Sequence, residues 1–190
     1  VLFRSAMSMQ SGAPTFGMPE AAKTVLAAGQ LARRLGVPFH TVGSLTSSKI
    51  PDSQAQQEGT MGLVMAVLAG ANFINHATGW LEGGLVTSFE KTIIDHDLCG
   101  KAARFFDGID MSENAQAMEA IREVGPGGHY LGCEHTQNNF KTAFWRTDVL
   151  DYKPYETWAE EGSRDSATLA AARVRKLLDA FQAPAIDPGI

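Results

Sequence analysis

The stretch LAGANFINHATGW, residues 68–80, decides the fold class because a helix end, a strand and a loop follow one another within it. Gly70 ends an apolar helical pattern, and glycine commonly terminates helices. The segment Ala71–His76, with Phe73 and Ile74 at its centre, then predicts a short strand, and the glycine-rich segment Thr78–Gly84 predicts a loop. Helices and strands that alternate with short connections are typical of α/β proteins.

The same order of elements occurs upstream of this stretch. Pro19 and Gly36 predict the two ends of a helix, because proline suits a first helical turn and glycine suits a C-terminal cap. Val37–Val42 then predicts a strand that ends at Gly43. A helix, a strand and a second helix therefore precede the strand at residues 71–76.

Further helices are predicted on both sides of the central stretch. Asp52 or Ser53 can cap a helix that extends to about Ala69, because their side chains accept hydrogen bonds from free N–H groups of a first turn. The remaining helices are predicted from about Ser88 to Phe106, from a cap at Ser112 to Gly125, from Pro154, and over Arg164–Phe181.

Two short strands cannot form a stable sheet by themselves, so the pattern predicts further strands upstream. We therefore expect the C-terminal portion of a (β/α)8 TIM-type barrel with terminal helices, or part of another parallel-sheet fold. Residues 1–10 are expected to be a truncated or artefactual segment, residues 11–183 part of a single barrel domain, and residues 184–190 a flexible tail. In barrels the reacting groups lie on loops after strand C-termini, here residues 43–53 and 77–88.

The composition narrows the classes of partner. The chain has 190 residues, 44% of them hydrophobic, and a net charge of −5. No basic patch favours nucleic acid or an anionic membrane, and no apolar run is long enough to span a bilayer. Cys99 and Cys133 fit no metal-ligand spacing, so we expect two reduced thiols in a cytoplasmic protein.

The strand end at residues 75–76 carries the first candidate site residues. His76, beside Asn75, is positioned for contact with a substrate or cofactor, or it is a buried histidine satisfied by backbone hydrogen bonds. Trp80 offers a π face to a quaternary ammonium group, or it packs in the core. Glu82 follows in a loop whose glycines let the backbone approach a ligand.

A second candidate segment, residues 127–136, is rich in side chains that bind ligands. His129, Glu134 and His135 do not match the H-E-x-x-H spacing of zinc enzymes, so no metal site is predicted. A hydrogen-bonding loop over a pocket fits the segment better. No reaction follows from these residues alone.

Two groups of charged residues have simpler interpretations. Asp95, His96 and Asp97 are expected to form a solvated helix face. Lys49 is a base or Schiff-base candidate, although a solvated loop lysine is the better interpretation.

Several segments, taken together in this order and spacing, resemble the trimethylamine:corrinoid methyltransferase family. The resemblance covers nearly all of residues 11–181. The segments are GAPTFGMPEA (12–21), QLARRLGVP (30–38), SKIPDSQA (48–55), LAGANFINHA (68–77), EVGPGGHYLGCEHT (123–136) and YETW (155–158).

This resemblance implies a (β/α)8 barrel and methyl transfer from a methylated amine to the Co(I) centre of a corrinoid. The corrinoid (a cobalamin-type cofactor) is held by a separate cognate corrinoid protein, which agrees with the lack of a D-x-H-x-x-G motif here. Members specific for trimethylamine carry pyrrolysine, which this sequence lacks. Relatives without it resemble demethylases of quaternary amines such as glycine betaine, which are favoured here. A truncated reading of a recoded stop codon would also lack pyrrolysine, so trimethylamine stays an alternative substrate. A homo-oligomer also stays an open alternative.

The resemblance also suggests roles for individual residues. His76 is the expected catalytic residue and, with Asn75, orients the substrate or faces the corrinoid. Trp80 and Tyr130 are expected to form an aromatic wall around the ammonium group. The expected counter-charge is Glu82 or Glu134, and His129 and His135 shape the pocket rim or bind an acceptor carboxylate. The alternatives are a lyase or aldolase that uses Lys49, and a methylated-amine-binding fragment without catalysis.

Overall fold

The computed structural model describes residues 7–185. Residues 1–6 and 186–190, which include parts of the expected N-terminal segment and tail, lie outside the described residues. The described chain divides into two compact units. The first unit contains residues 7–100 and 148–185, and the second contains residues 101–147.

Helices dominate both units. Over residues 7–185 the helices are α1 (Pro19–Leu35), α2 (Ser53–Leu68), α3 (Phe89–Phe106), α4 (Glu113–Gln116), α5 (Met118–Val124), α6 (Glu134–Asn139), α7 (Tyr155–Glu160) and α8 (Ser166–Ala180). The strands are β1 (His40–Val42), β2 (Phe73–Asn75), β3 (Trp80–Leu81) and β4 (Val86–Thr87). The mixed α/β class is thus confirmed.

The predicted ends of α1 and α2 are confirmed. Pro19 opens α1, and Gly36 caps it in the left-handed conformation with φ 65°. Asp52 caps α2, where its carboxylate accepts a hydrogen bond from the Ala55 N–H at 2.9 Å. That bond and one from the Ser48 hydroxyl lower the pKa of the Asp52 carboxyl.

The strands β1 and β2 pair in parallel, with His40 opposite Phe73 and Val42 opposite Asn75. Both are shorter than the predicted strands at residues 37–42 and 71–76. Pro38 has no N–H to donate to a ladder, and the Phe39 N–H donates to the Asn72 side chain at 2.9 Å instead. Pairing therefore begins only at His40.

The predicted glycine-rich loop at residues 78–84 contains regular structure. Its strand β3 pairs antiparallel with β4, which follows the segment, and Trp80 lies opposite Thr87. A short 3-10 turn, Glu82–Gly84, connects the two strands, and Gly83 within it has φ 65°, a conformation that favours glycine. The hairpin projects from the carboxyl end of β2.

The core of the first unit lies between the helices and the parallel strands. One apolar cluster contains Val25, Ala32, Phe39 and Ala69, and it joins α1 to the residue before β1 and to the C-terminal cap of α2. The two helices approach closely at Gly29, where an added Cβ would lie 2.3 Å from the Ala69 carbonyl oxygen. A second cluster contains Ile94, Val149 and Ala170.

In the second unit, the single helix predicted from Ser112 to Gly125 is divided. The Ser112 hydroxyl caps α4 as predicted, but Ala117 adopts φ 50° and separates α4 from α5. Among the described residues, no helix is long and apolar enough to cross a membrane.

Candidate functional site

A cavity of about 410 Å³ opens where the carboxyl ends of β1 and β2 meet the hairpin. Aromatic rings form much of its wall, and no acidic residue is among those that line it in the described part of the chain. The lining residues are Phe16, His40, Thr41, Val42, Leu45, Asn75, His76, Trp80, Gly83 and Gly84. Three residues expected from the sequence, Asn75, His76 and Trp80, therefore lie together.

His76 is held by its neighbours in a backbone conformation that is uncommon for residues other than glycine. Its φ is 49°, and its N–H donates to the Asn75 side-chain oxygen at 2.9 Å. The Asn75 amide nitrogen lies 3.4 Å from His76 Nε2. Trp80 meets the imidazole edge-on, with ring centroids 4.8 Å apart and an interplanar angle of 85°. The three side chains therefore form one ordered wall of the cavity.

Backbone hydrogen bonds attach the hairpin to the loop after β1. The Glu82 N–H donates to the Ser48 carbonyl at 2.7 Å, and the Gly83 N–H donates to the Thr46 carbonyl at 2.8 Å. The backbone of Glu82 has φ 49°, and its side chain is exposed and does not line the cavity. The backbone of Glu82, rather than its carboxylate, helps to shape the site.

Sequence reasoning missed His40, which also lines the cavity. Its ring stacks at a tilt on Phe73, with centroids 5.3 Å apart. His40 Nε2 and the Thr41 hydroxyl are buried without a hydrogen-bond partner among the described residues. Because successive side chains of a strand point to opposite faces, the position of His40 two residues before Val42 could have placed both on one face of β1.

The prediction that residues 95–97 form a solvated helix face is wrong for Asp95. The side chains of Asp95 and Lys91 are both 0% exposed, and Lys91 Nζ lies 2.6 and 2.5 Å from the two carboxylate oxygens. Ser44 Oγ and the Gly79 N–H each donate to Asp95 at 2.9 Å. His96 is exposed as expected.

Lys49, the Schiff-base candidate, is exposed, and its ammonium donates to the Ser47 carbonyl at 2.8 Å. It does not line the cavity. Lys49 therefore lacks the desolvated pocket in which a lysine forms a Schiff base with a substrate.

The remaining predicted site residues belong to the second unit. Glu134 and His135 line an open polar groove of about 580 Å³ in that unit, and His135 Nε2 lies 2.7 Å from the Asn114 carbonyl oxygen. Tyr130 is 44% exposed, and His129 is exposed.

Two observations concern metal and thiol chemistry. Among residues 7–185, no group of three or more His, Cys, Asp or Glu side chains is arranged to hold a metal ion. Cys99 and Cys133 are both free. Burial, followed by the nearby negative charge of Asp95, raises the pKa of the Cys99 thiol, so it is a weak nucleophile at neutral pH.

Comparison with known proteins assigns the chain to a family. The trimethylamine methyltransferase family model matches residues 2–190, nearly the whole chain. The chain belongs to the trimethylamine methyltransferase family. The resemblance noted in the sequence is thereby confirmed.

Two similar proteins are longer than this chain. A glycine betaine methyltransferase of Desulfitobacterium hafniense is 39% identical over 98% of this chain and 39% of its own length. A trimethylamine methyltransferase, MttB, of Methanosarcina barkeri is 34% identical over 96% of this chain and 36% of its own length. The chain thus spans well under half the length of these relatives.

Proposed function

We propose that the protein containing this chain transfers a methyl group from a quaternary amine such as glycine betaine to the Co(I) centre of a corrinoid. The corrinoid is carried by a separate protein, which acts as the acceptor substrate. We further propose that the chain forms the C-terminal part of a (β/α)8 barrel. Membership of the methyltransferase family supports the reaction class, and the parallel β1–β2 pair, with helices before and after each strand, supports the barrel.

The aromatic cavity is the observation that carries the choice of substrate class. Phe16, His76 and Trp80 all line it. A methylated ammonium ion is attracted to aromatic faces, and the attraction is worth about 2 kcal/mol or more when the site is desolvated. The cavity can therefore attract a cation without an acidic side chain in its wall.

The choice of a quaternary amine also agrees with the chemistry of the donor. The C–N bond to one methyl group breaks, the nitrogen keeps the electron pair and leaves as a neutral tertiary amine, and the methyl carbon bonds to the acceptor. Such a donor needs orientation and removal of water rather than covalent activation. The ordered wall formed by Asn75, His76 and Trp80 can supply both.

The roles proposed for the other residues follow from their chemistry. His76 would touch the substrate directly, and Asn75 would fix the orientation of its imidazole. The roles expected of Glu82, Tyr130, Glu134 and His135 in binding the substrate stay predictions, since none of these residues lines the aromatic cavity. Trimethylamine is the alternative substrate, since both amines occur in the names of relatives.

The experiment uses the full-length protein with a reduced corrinoid carrier whose competence has been shown with another methyltransferase. Glycine betaine, other quaternary amines and trimethylamine are added separately, and the absorbance of Co(I) is followed. Loss of the Co(I) signal with a quaternary amine, and formation of one equivalent of tertiary amine, is expected. Conversion of trimethylamine alone would overturn the assignment of a quaternary amine as the substrate. The absence of conversion with every amine would overturn the proposed methyltransferase function.

A further inference from the structure

The buried charge pair on α3 joins the two loops from which the candidate cavity is built. Asp95 Oδ1 accepts from Ser44 Oγ, which lies two residues after β1, and Oδ2 accepts from the Gly79 N–H, directly before Trp80. Both bonds are 2.9 Å long. One carboxylate therefore connects the backbone segments that follow two neighbouring parallel strands.

Lys91 completes this connection from one helical turn earlier. Its ammonium contacts both oxygens of Asp95 and lies 3.3 Å from Ser44 Oγ and 3.4 Å from the Ser44 carbonyl oxygen. These contacts occupy the ammonium donors, and the lysine does not line the cavity. Lys91 is therefore unsuited to act on a substrate directly.

The surrounding backbone fits closely around the pair. An added Cβ at Gly59 of α2 would lie 2.3 Å from Ser44 Oγ and 3.6 Å from Lys91 Nζ. An added Cβ at Gly79 would lie 2.3 Å from Thr92 Oγ1, and Gly79 has φ 83°. Two glycines thus allow α2 to approach the Ser44 hydroxyl, and the loop at Gly79 to approach Thr92 of α3, at distances that a side chain would prevent.

Stability alone does not explain a buried ion pair. Removing two charges from water costs about as much as their attraction returns, and apolar replacements of similar volume are often neutral or stabilising. Directional hydrogen bonds from a fixed carboxylate, by contrast, define where the Ser44 hydroxyl and the Gly79 amide lie. Apolar side chains cannot replace that geometry.

We propose that Lys91 and Asp95 are positioning residues that fix the loops after β1 and β2, and so set the distance between Leu45 and Trp80 across the cavity. Leu45 directly follows the anchored Ser44, Trp80 directly follows the anchored Gly79, and both Leu45 and Trp80 line the cavity. This inference rests on the proposed methyltransferase function. Small displacements of a reacting group can cost about 100-fold in rate.

The test compares three changes in the full-length protein. Lys91→Met with Asp95→Leu removes both charges and all acceptors, Lys91→Met with Asp95→Asn keeps one side-chain oxygen, and Ser44→Ala removes a single bond to the carboxylate. Arg104→Met with Asp107→Leu is the matched control, because that exposed pair, with Arg104 Nη1 3.6 Å from Asp107 Oδ2, lies at the C-terminal end of the same helix. The readouts are the Tm, kcat and KM for the amine, and amide hydrogen exchange.

Lys91→Met with Asp95→Leu is expected to keep its Tm within a few degrees and to lose 10- to 100-fold in kcat/KM, mainly in kcat. The variant with Asp95→Asn should recover part of that loss, and Ser44→Ala should lose about threefold to tenfold. Exchange should rise selectively in residues 43–48 and 77–82. The control should match the unmodified protein.

Unchanged kcat/KM in a folded Lys91→Met/Asp95→Leu variant would overturn the inference. If that variant does not fold, unchanged kcat/KM in both milder variants would overturn it equally. If the unmodified protein demethylates no amine, the proposed function fails instead. Hydrogen exchange then decides the positioning role by itself, and unchanged exchange in both segments would refute it.

Discussion

The two units differ in how they arrange the polar and aromatic residues singled out from the sequence. In the first unit, Asn75, His76 and Trp80 lie around one cavity and contact one another. In the second unit, Glu134 and His135 line an open polar groove, and Tyr130 is largely exposed.

The difference has a structural cause. Residues in the first unit follow parallel strands, and the carboxyl ends of such strands bring loops that are distant in sequence to one edge. A buried ion pair below that edge connects the loops. The second unit contains no strand among its described residues, so its candidate residues lie on short helices and turns. Substitutions should therefore have larger effects in the first unit.

The largest effect is expected from Asp95→Ala. It leaves the Lys91 ammonium buried without a counter-charge, which should lower the free energy of unfolding by about 3–5 kcal/mol. Denaturant unfolding of the full-length protein measures the change. Asp107→Ala, in the exposed pair with Arg104, is the control and should change that free energy by less than about 1 kcal/mol. Equal changes in the free energy of unfolding for Asp95→Ala and Asp107→Ala would contradict the burial of the Lys91–Asp95 pair.

His76→Ala should produce the next largest effect, a loss of about 100-fold in kcat/KM, because an ordered contact to the substrate is removed. Steady-state demethylation of the quaternary amine measures it. His96→Ala is the matched control, since His96 is exposed on α3. Unchanged turnover in the His76→Ala variant would show that His76 has no role in the reaction.

Trp80→Ala should raise the Kd of a quaternary amine about 30-fold, which corresponds to about 2 kcal/mol of cation–π attraction. Calorimetric titration of the amine into the full-length protein measures this change. Trp80→Phe should recover part of the affinity, because phenylalanine keeps a smaller π face. The same Kd for both variants would mean that ring electrostatics contribute nothing to binding.

The smallest effects are expected in the second unit. Glu134→Gln and His135→Ala should each lower kcat/KM by at most about tenfold, because an exposed polar contact contributes about 0.5–1.5 kcal/mol. Kinetics on the same amine measure both variants. A loss as large as that of His76→Ala would reverse the ranking of the two units.

Local residue preferences made several features predictable. Pro19, Gly36 and Asp52 act on neighbouring backbone atoms, so the ends of α1 and α2 followed directly from the sequence. His76 became a candidate because it stands at the end of a predicted strand. The order of helices and strands along the sequence is enough to predict where such an end lies. The strand lengths were less predictable, since pairing between β1 and β2 depends on a partner about 30 residues away.

Residues whose role depends on distant neighbours were missed or misread. Asp95 stands four residues after Lys91, a spacing that is equally typical of an exposed helical ion pair. Only the approach of Ser44 and Gly79 to α3 buries the pair. His40 carried no motif, and it became a candidate only when its strand was placed beside β2.

By itself the sequence determined the α/β class, the family and the helix ends, because each depends on short-range preferences or on the order and spacing of short segments along the chain. Tertiary structure alone decided which charges are buried and which rings share a cavity. Burial and proximity depend on contacts between segments that are distant in the sequence. A local pattern of residues therefore cannot predict them.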